Sequence, residues 1–244
     1  MDPFERHGIR HLSPSSLALY RAAPALWVLR YLFGVRDDET PFAWRGKAVE
    51  LAVAAIVFNG ASDDAAIEIA MAAFENEAQG EISPEITRER NPIPSMVRRA
   101  AWVFRKLGRP LGQQHRLEVW IDGIEVPVLG YTDFVYPEFV LDLKTTFAIP
   151  SKPRADHEVQ IVTYADALGR RPGLVYVSPQ KTAVYQHNQI DVASARRLLR
   201  QSAYAVRAML AAAQTAEAAA ALFVPVDDFR WSPVTRSAAQ EVWR

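Results

Sequence analysis

Near Gln114 the spacing of apolar residues changes from helical to alternating, which limits the chain to folds that join a helical part to a sheet. Upstream, Ser13 reads as an N-cap and Pro14 as the first helical position. Leu17, Tyr20, Trp27, Val28, Tyr31 and Leu32 then recur at near-helical intervals, with Pro24 breaking or kinking the run. The pattern predicts a second helix over 45–58 and a third after the Ser62/Asp63 cap, with Ile67, Ala70, Met71 and Phe74 on one face. Pro84, Pro92 and Pro94 predict a loop, and 96–107 a basic helix.

Downstream, 117–121 alternates, Asp122-Gly123 marks a hairpin turn, and 124–136 and 139–145 complete a three-strand meander. Helical spacing returns over 154–168, followed by strands at 174–177 and 182–187. Asp191 caps a long Ala-rich helix striped by Leu198, Leu199, Val206 and Leu210, and the Ala-biased 211–221 reads as helix too. This order predicts an α/β (α+β) fold, a central mixed sheet flanked by helices with an N-terminal helical region.

Half of the 244 residues are apolar, enough for a sizeable core. No run approaches the roughly 18 apolar residues of a membrane helix, and the charged stretch 1–10 lacks the apolar segment of a signal peptide, so a cytoplasmic location is expected. The chain has no cysteine, which excludes disulfides, zinc ribbons, thiol nucleophiles and thiolate-held iron–sulfur clusters. Its 28 basic and 28 acidic residues cancel, so it lacks the global positive field of many nucleic-acid binders. Charge is uneven all the same: 63–89 is mostly acidic, and 88–116 is basic with Glu89 its only acid. The basic run reads equally as a phosphate-binding surface or as a solvated helix face.

Chemistry concentrates in the turn-linked pair of strands. With a bend near Pro137 and Glu138, Asp133 on the first can approach Asp142 on the second, and Asp142 and Lys144 share a face because strand side chains alternate. Two carboxylates beside one ammonium can hold a hard divalent cation and orient water next to a phosphate. The plainer reading is a cross-strand ion pair. Apolar neighbours around Asp142 point to a covered strand, where a carboxylate needs a partner cation. Two further features fit the same site. Glu50 comes early on a helix after Gly46, a residue that permits close approach to a neighbouring sheet, and Gln160 and Tyr164 share one helix face.

In chain order the set runs Gly46-x-x-x-Glu50, Gly130-x-x-Asp133, Asp142-x-Lys144, Gln160-x-x-x-Tyr164. It resembles the PD-(D/E)XK nuclease superfamily, specifically the RecB-like and phage (lambda-type) exonuclease branch without an iron–sulfur cluster. The similarity takes in Leu12-Ser-Pro-Ser-Ser-Leu17 and the strands after the Gln160/Tyr164 helix, and so most of the chain. It implies a restriction-endonuclease-like core in a single nuclease domain over 1–244. Within it, 1–112 is mainly helical and includes the first core helix, 113–190 holds the catalytic meander, helix and following strands, and 191–244 is the C-terminal helix and tail.

Carried over residue by residue, the resemblance makes Glu50, Asp133, Asp142 and the main-chain carbonyl of Leu143 the ligands of Mg²⁺ or Mn²⁺. Lys144 orients or helps deprotonate the attacking water, and Gln160 and Tyr164 line the DNA channel and support the site. Asp142 stands where many relatives have Glu, and Glu50 where RecB-type members often have His, which favours the phage-exonuclease side. Some RecB-like relatives hold a four-cysteine cluster near both ends; the corresponding 229–236 contains no ligand.

The function implied is metal-dependent hydrolysis of DNA phosphodiesters, most simply by an exonuclease that resects duplex ends in recombination or repair. A catalytically silent DNA-binding or assembly subunit and a structure-specific endonuclease are the alternatives. DNA is the expected partner, with a single-strand annealing or recombination protein and a homo-oligomer as further expectations, in a bacterial or phage-infected cell. No phosphate-binding Gly-x-x-x-x-Gly-Lys loop, Gly-x-Ser-x-Gly elbow or His-Glu-x-x-His motif is present. His157 reads as a helix-surface residue or a groove lining. Trp27, Tyr31, Trp44 and Trp102 read as core more than as base-stacking platforms, and Trp231 and Trp243 as packing for the C-terminus.

Overall fold

The computed structural model describes residues 2–244; Met1, the first residue of the charged N-terminal stretch, lies outside them. Among these residues, seven helices precede the first strand: α1 (Pro3–Arg6), α2 (Pro14–Ala22), α3 (Pro24–Tyr31), α4 (Pro41–Asn59), α5 (Asp63–Ala78), α6 (Pro84–Arg90) and α7 (Ile93–Leu107). Strands β1 (His115–Val119), β2 (Val128–Thr132), β3 (Phe134–Val135) and β4 (Phe139–Thr145) follow. The chain then forms α8 (Ala155–Leu168), β5 (Arg171–Val177), β6 (Thr182–Tyr185), α9 (Val192–Ala212), α10 (Ala216–Ala220) and α11 (Pro233–Val242).

Strand β1 pairs antiparallel with β2, while β3, β4, β5 and β6 form a four-stranded sheet in that order. Within it β4 and β5 run parallel, joined through α8, and the outer pairs are antiparallel. Each face of this sheet carries its own core. Val140, Leu174 and Tyr176 pack with α2, α8 and α9, whereas Leu141, Leu143, Val175 and Val177 pack with α4, α5 and α7. A third cluster places Trp231 among Ala25, Leu26 and Leu29 of α3, and the Trp243 indole N–H donates to the carbonyls of Ala220 and Phe223. Both tryptophans pack the C-terminus as predicted.

Caps mark the helices as the sequence predicts. The Ser13 hydroxyl accepts from the Ser16 N–H in a capping box, and Asp191 accepts from the Ser194 N–H. Elsewhere the structure corrects the expectation. The loop expected from Pro84 to Pro94 is two helices, because Pro84 sits at the start of α6 behind a Ser83 cap and Pro94 falls in the first turn of α7, where a missing N–H costs nothing. The Ala-rich 211–221 is interrupted: α9 ends at Ala212, and Thr215 caps a separate α10. The strand expected over 124–136 begins only at Val128 and divides at Asp133.

Charge also rearranges the picture. Arg98 and Arg105 of α7 reach Asp64 and Asp63 of α5 at 3.2 and 2.6 Å, and Arg90 pairs with Glu75. Glu89 is buried, bonded by the fully buried Arg45 of α4 and by Arg88. The acidic and basic runs therefore neutralise each other in part. Trp102 is not core either; it is 61% exposed.

Candidate active site

The site forms where the sheet divides. The register Phe134↔Leu141 and Val135↔Val140 sets Asp133 opposite Asp142, and continued pairing would give the Leu143 N–H to the Thr132 carbonyl. Instead β2 turns away to pair with β1, and that carbonyl accepts from the Gln114 N–H at 2.6 Å. The Asp133 carboxylate takes the released Leu143 N–H at 2.7 Å. The N–H and C=O of one strand residue leave on the same side, so the Leu143 carbonyl is directed into this division as well.

Asp142 and Lys144 share the face of β4 that α8 covers, as alternation predicts. The Lys144 ammonium donates to Asp142 Oδ1 at 3.0 Å and to Gln160 Oε1 at 2.9 Å. Gln160 Nε2 in turn donates to the Tyr164 hydroxyl at 3.3 Å, so the chain Asp142–Lys144–Gln160–Tyr164 is continuous. The ammonium also lies 2.9 Å from Asp142 Oδ2, yet that buried atom receives no directed hydrogen bond. Tyr164 rests on Gly130: a Cβ there would lie 2.1 Å from its ring, which is the physical reason for the glycine three residues before Asp133. Gly46 carries no such constraint, since its Cβ would meet Thr145 Oγ1 at an ordinary 3.7 Å, so the expected glycine-dependent approach of α4 is not found.

Glu50 arrives from α4, near enough for the charges of Asp142 and Lys144 to act on it. Burial raises its pKa and Asp142 adds to the rise, while a hydrogen bond from Gln114 and the Lys144 charge oppose it. Burial pushes the Asp133 carboxyl well above the usual carboxylate range, reinforced by Asp142 and Glu50. Burial alone would lower the Lys144 pKa, but Asp142 and Asp133 reverse this and raise it. The lysine is thus an ammonium at neutral pH, crowded by carboxylates.

Sequence reasoning missed one residue here, Gln114, and left a second, His157, open between helix surface and groove lining. Gln114 adopts a left-handed backbone, φ 51°, uncommon for a residue other than glycine; from it the main chain caps Thr132 and the side chain holds Glu50. The change of hydrophobic period falls at Gln114, but nothing in the pattern marks its side chain. His157 faces the site rather than open solvent. Its Nδ1 lies 2.7 Å from the Tyr176 hydroxyl, and burial lowers its pKa to about 4, helped by the Lys144 charge.

Among the described residues no three carboxylate or histidine side chains are already drawn together as a metal cage. The donor set nonetheless fits a hard divalent cation: three carboxylates and a main-chain carbonyl, all oxygen, outnumber the single ammonium. Asp142 Oδ2 is left without a directed partner, and the Asp133 and Glu50 carboxyls, raised by burial and further by neighbouring carboxylates, carry a penalty that a cation relieves.

A mixed α/β core with Asp-x-Lys beside a dividing sheet is the architecture of a nuclease class, and the comparisons with known proteins agree. The family model described as the PD-(D/E)XK nuclease superfamily matches residues 11–234. The chain belongs to the PD-(D/E)XK nuclease superfamily. Among solved structures, a putative exonuclease from Eubacterium rectale is similar in fold, with a TM-score of 0.63 and 11% identity over 93% of this chain and 88% of that one. Another, SSO0001, gives a TM-score of only 0.35 at 19% identity over 55% of this chain and 70% of that one. No curated protein matches the sequence.

Proposed function

We propose that the chain is a Mg²⁺- or Mn²⁺-dependent deoxyribonuclease, and specifically an exonuclease that resects duplex DNA ends in recombination or repair. The observation that carries this reading is the single ammonium of Lys144 held between Asp142 and Gln160, beside Asp133, at the division of the sheet. The exonuclease assignment draws on the ordered motif set and on the name of the Eubacterium rectale structure. Because one sheet serves both cores, we take 1–244 as one nuclease domain. No helix among the described residues is long and apolar enough to cross a membrane, and a cytoplasmic location is proposed with it.

In this reading Glu50, Asp133, Asp142 and the Leu143 carbonyl hold the ion. When bound, such an ion lowers the pKa of water, polarises the scissile phosphate and neutralises the leaving oxygen. Lys144, protonated, orients the attacking water and stabilises negative charge developing on the phosphate. Gln160 fixes the ammonium through its side-chain carbonyl, and Tyr164 fixes Gln160. Together they hold the ammonium in one position before substrate arrives.

Incubating end-labelled linear duplex with the protein and Mg²⁺ tests the proposal. Cleavage should vanish with EDTA and fall on the order of 10³-fold in Lys144→Ala, while covalently closed circular DNA survives. Full activity in that variant, or cleavage indifferent to EDTA, would sink the reading, and a cut circle would replace exonuclease by endonuclease.

A further inference from the structure

Trp102 lies on the outer face of α7, 61% exposed, with the Lys106 ammonium 3.4 Å from its ring centroid. Arg98 and Arg99 precede it by one turn and share its side of the helix. With Ser95, Gln180, Lys181 and Thr182, the residues Arg98, Arg99 and Trp102 line an open cavity of about 650 Å³ whose lining holds no acidic side chain, although Arg98 also reaches out to Asp64 of α5. The Arg99 Nε–H donates to the Pro179 carbonyl at 2.9 Å, fastening to α7 the turn that presents Lys181. That turn follows β5, and the Thr146 N–H bonds the Val177 carbonyl, so the cavity opens at the same carboxyl end of β4 and β5 that carries Lys144.

We infer that this cavity binds single-stranded nucleic acid, one base stacking on Trp102 while Arg99 and Lys181 hold the adjoining phosphates. An exposed indole gains little from a duplex, whose bases already stack on each other; an unpaired base offers it a free π-face. The cationic side chains match the polyanionic backbone, and Gln180 and Thr182 add polar contacts at the rim. The inference rests on the nuclease reading for its purpose: the cavity and Lys144 share the carboxyl end of the sheet, on its α7 and α8 faces respectively. Binding itself needs no catalysis, so the two are separable.

The experiment is fluorescence anisotropy of a fluorescein-labelled oligothymidylate in EDTA, with the intact chain and the variants Trp102→Ala, Trp102→Phe and Lys181→Glu. Both positions are exposed, so the fold is retained. Trp102→Ala should weaken binding about 5- to 150-fold, the range of one lost base stack, and Trp102→Phe should keep most of the affinity. Lys181→Glu should weaken it too and flatten the salt dependence by about 0.7 in log–log slope. A blunt duplex should bind more weakly and ignore Trp102. Wild-type affinity in both Trp102→Ala and Lys181→Glu overturns the inference, as does a duplex that competes equally through Trp102. Binding through Trp102 without cleavage in Mg²⁺ supports the inference and removes only the nuclease reading. Cleavage whose KM is unchanged in both variants removes the inference alone.

Discussion

Two charged clusters flank the end of β4, and they are built on opposite principles. At Thr145, the buried Arg45 guanidinium donates to Glu89, to Thr145 Oγ1 at 3.3 Å and to the Thr145 carbonyl at 3.4 Å, while Arg88 takes the second Glu89 oxygen. Two guanidiniums share one carboxylate whose oxygens are both bonded. One residue earlier, the Lys144 ammonium contacts the Asp142 carboxylate alone, Asp133 and Glu50 lie near enough for their charges to be felt, and a buried oxygen of Asp142 has no directed bond. A satisfied cluster fastens helices α4 and α6 to the sheet. An unbalanced one is unfavourable by itself and becomes favourable when a cation arrives.

Breaking the satisfied cluster should cost most. Glu89→Ala leaves a buried guanidinium without its partner and should lower stability by about 3–5 kcal/mol, read as a fall in the urea midpoint. Replacing the pair together, Arg45→Met with Glu89→Leu, should recover most of the loss. An unchanged midpoint in Glu89→Ala would show that the cluster is not structural and would dissolve the contrast.

Gly130→Ala should cost about 1–3 kcal/mol by driving a methyl into the Tyr164 ring. Combining it with Tyr164→Ala should relieve part of that cost, so a double-mutant cycle reads the contact directly. The reverse sign is expected at Asp133. Its folded pKa is raised, so the folded state holds protons that the unfolded state releases, and metal-free stability declines as pH rises from the ordinary carboxylate range through the raised pKa. Asp133→Asn keeps an acceptor for the Leu143 N–H, removes that decline and should raise the metal-free melting temperature by about 2–4 °C while abolishing cleavage. A lower melting temperature would mean that the acids are not in conflict.

The smallest effect belongs to His157. With its pKa lowered to about 4 from 6.5, the unfolded state binds the extra proton. Stability is therefore lost as pH falls from 6.5 toward 4, by about 1 kcal/mol or less after solvent screening. His157→Gln should flatten that part of the stability–pH curve, and an unaltered curve would assign the slope to other groups.

The motif residues were legible because they depend on local rules. Alternation put Asp142 and Lys144 on one face, helical periodicity put Gln160 and Tyr164 on another, and the Pro137–Glu138 bend brought Asp133 across. What escaped depended on tertiary choice. The departure of β2 from β4 at Asp133 has no signature in the apolar-rich stretch 124–136, and the same is true of Gln114, whose role follows from that departure. Prolines at 84, 92 and 94 read as loop because a helix start and a turn use the same residue, and only the Ser83 cap distinguishes them. The role of Gly130 is visible only once Tyr164 is placed over it.

The pairing of α5 with α7 has a kinetic consequence. By pairing Asp63 and Asp64 of α5 with Arg105 and Arg98 of α7 in a chain of zero net charge, the molecule weakens the field it presents far from its surface. Encounter with a polyanion then falls short of the fully guided rate of about 10⁸–10⁹ M⁻¹s⁻¹ and draws what steering it has from local side chains such as Arg99 and Lys181. On the proposed reading, the interior of a chromosome exerts little pull on this protein, and recognition begins only at contact distance.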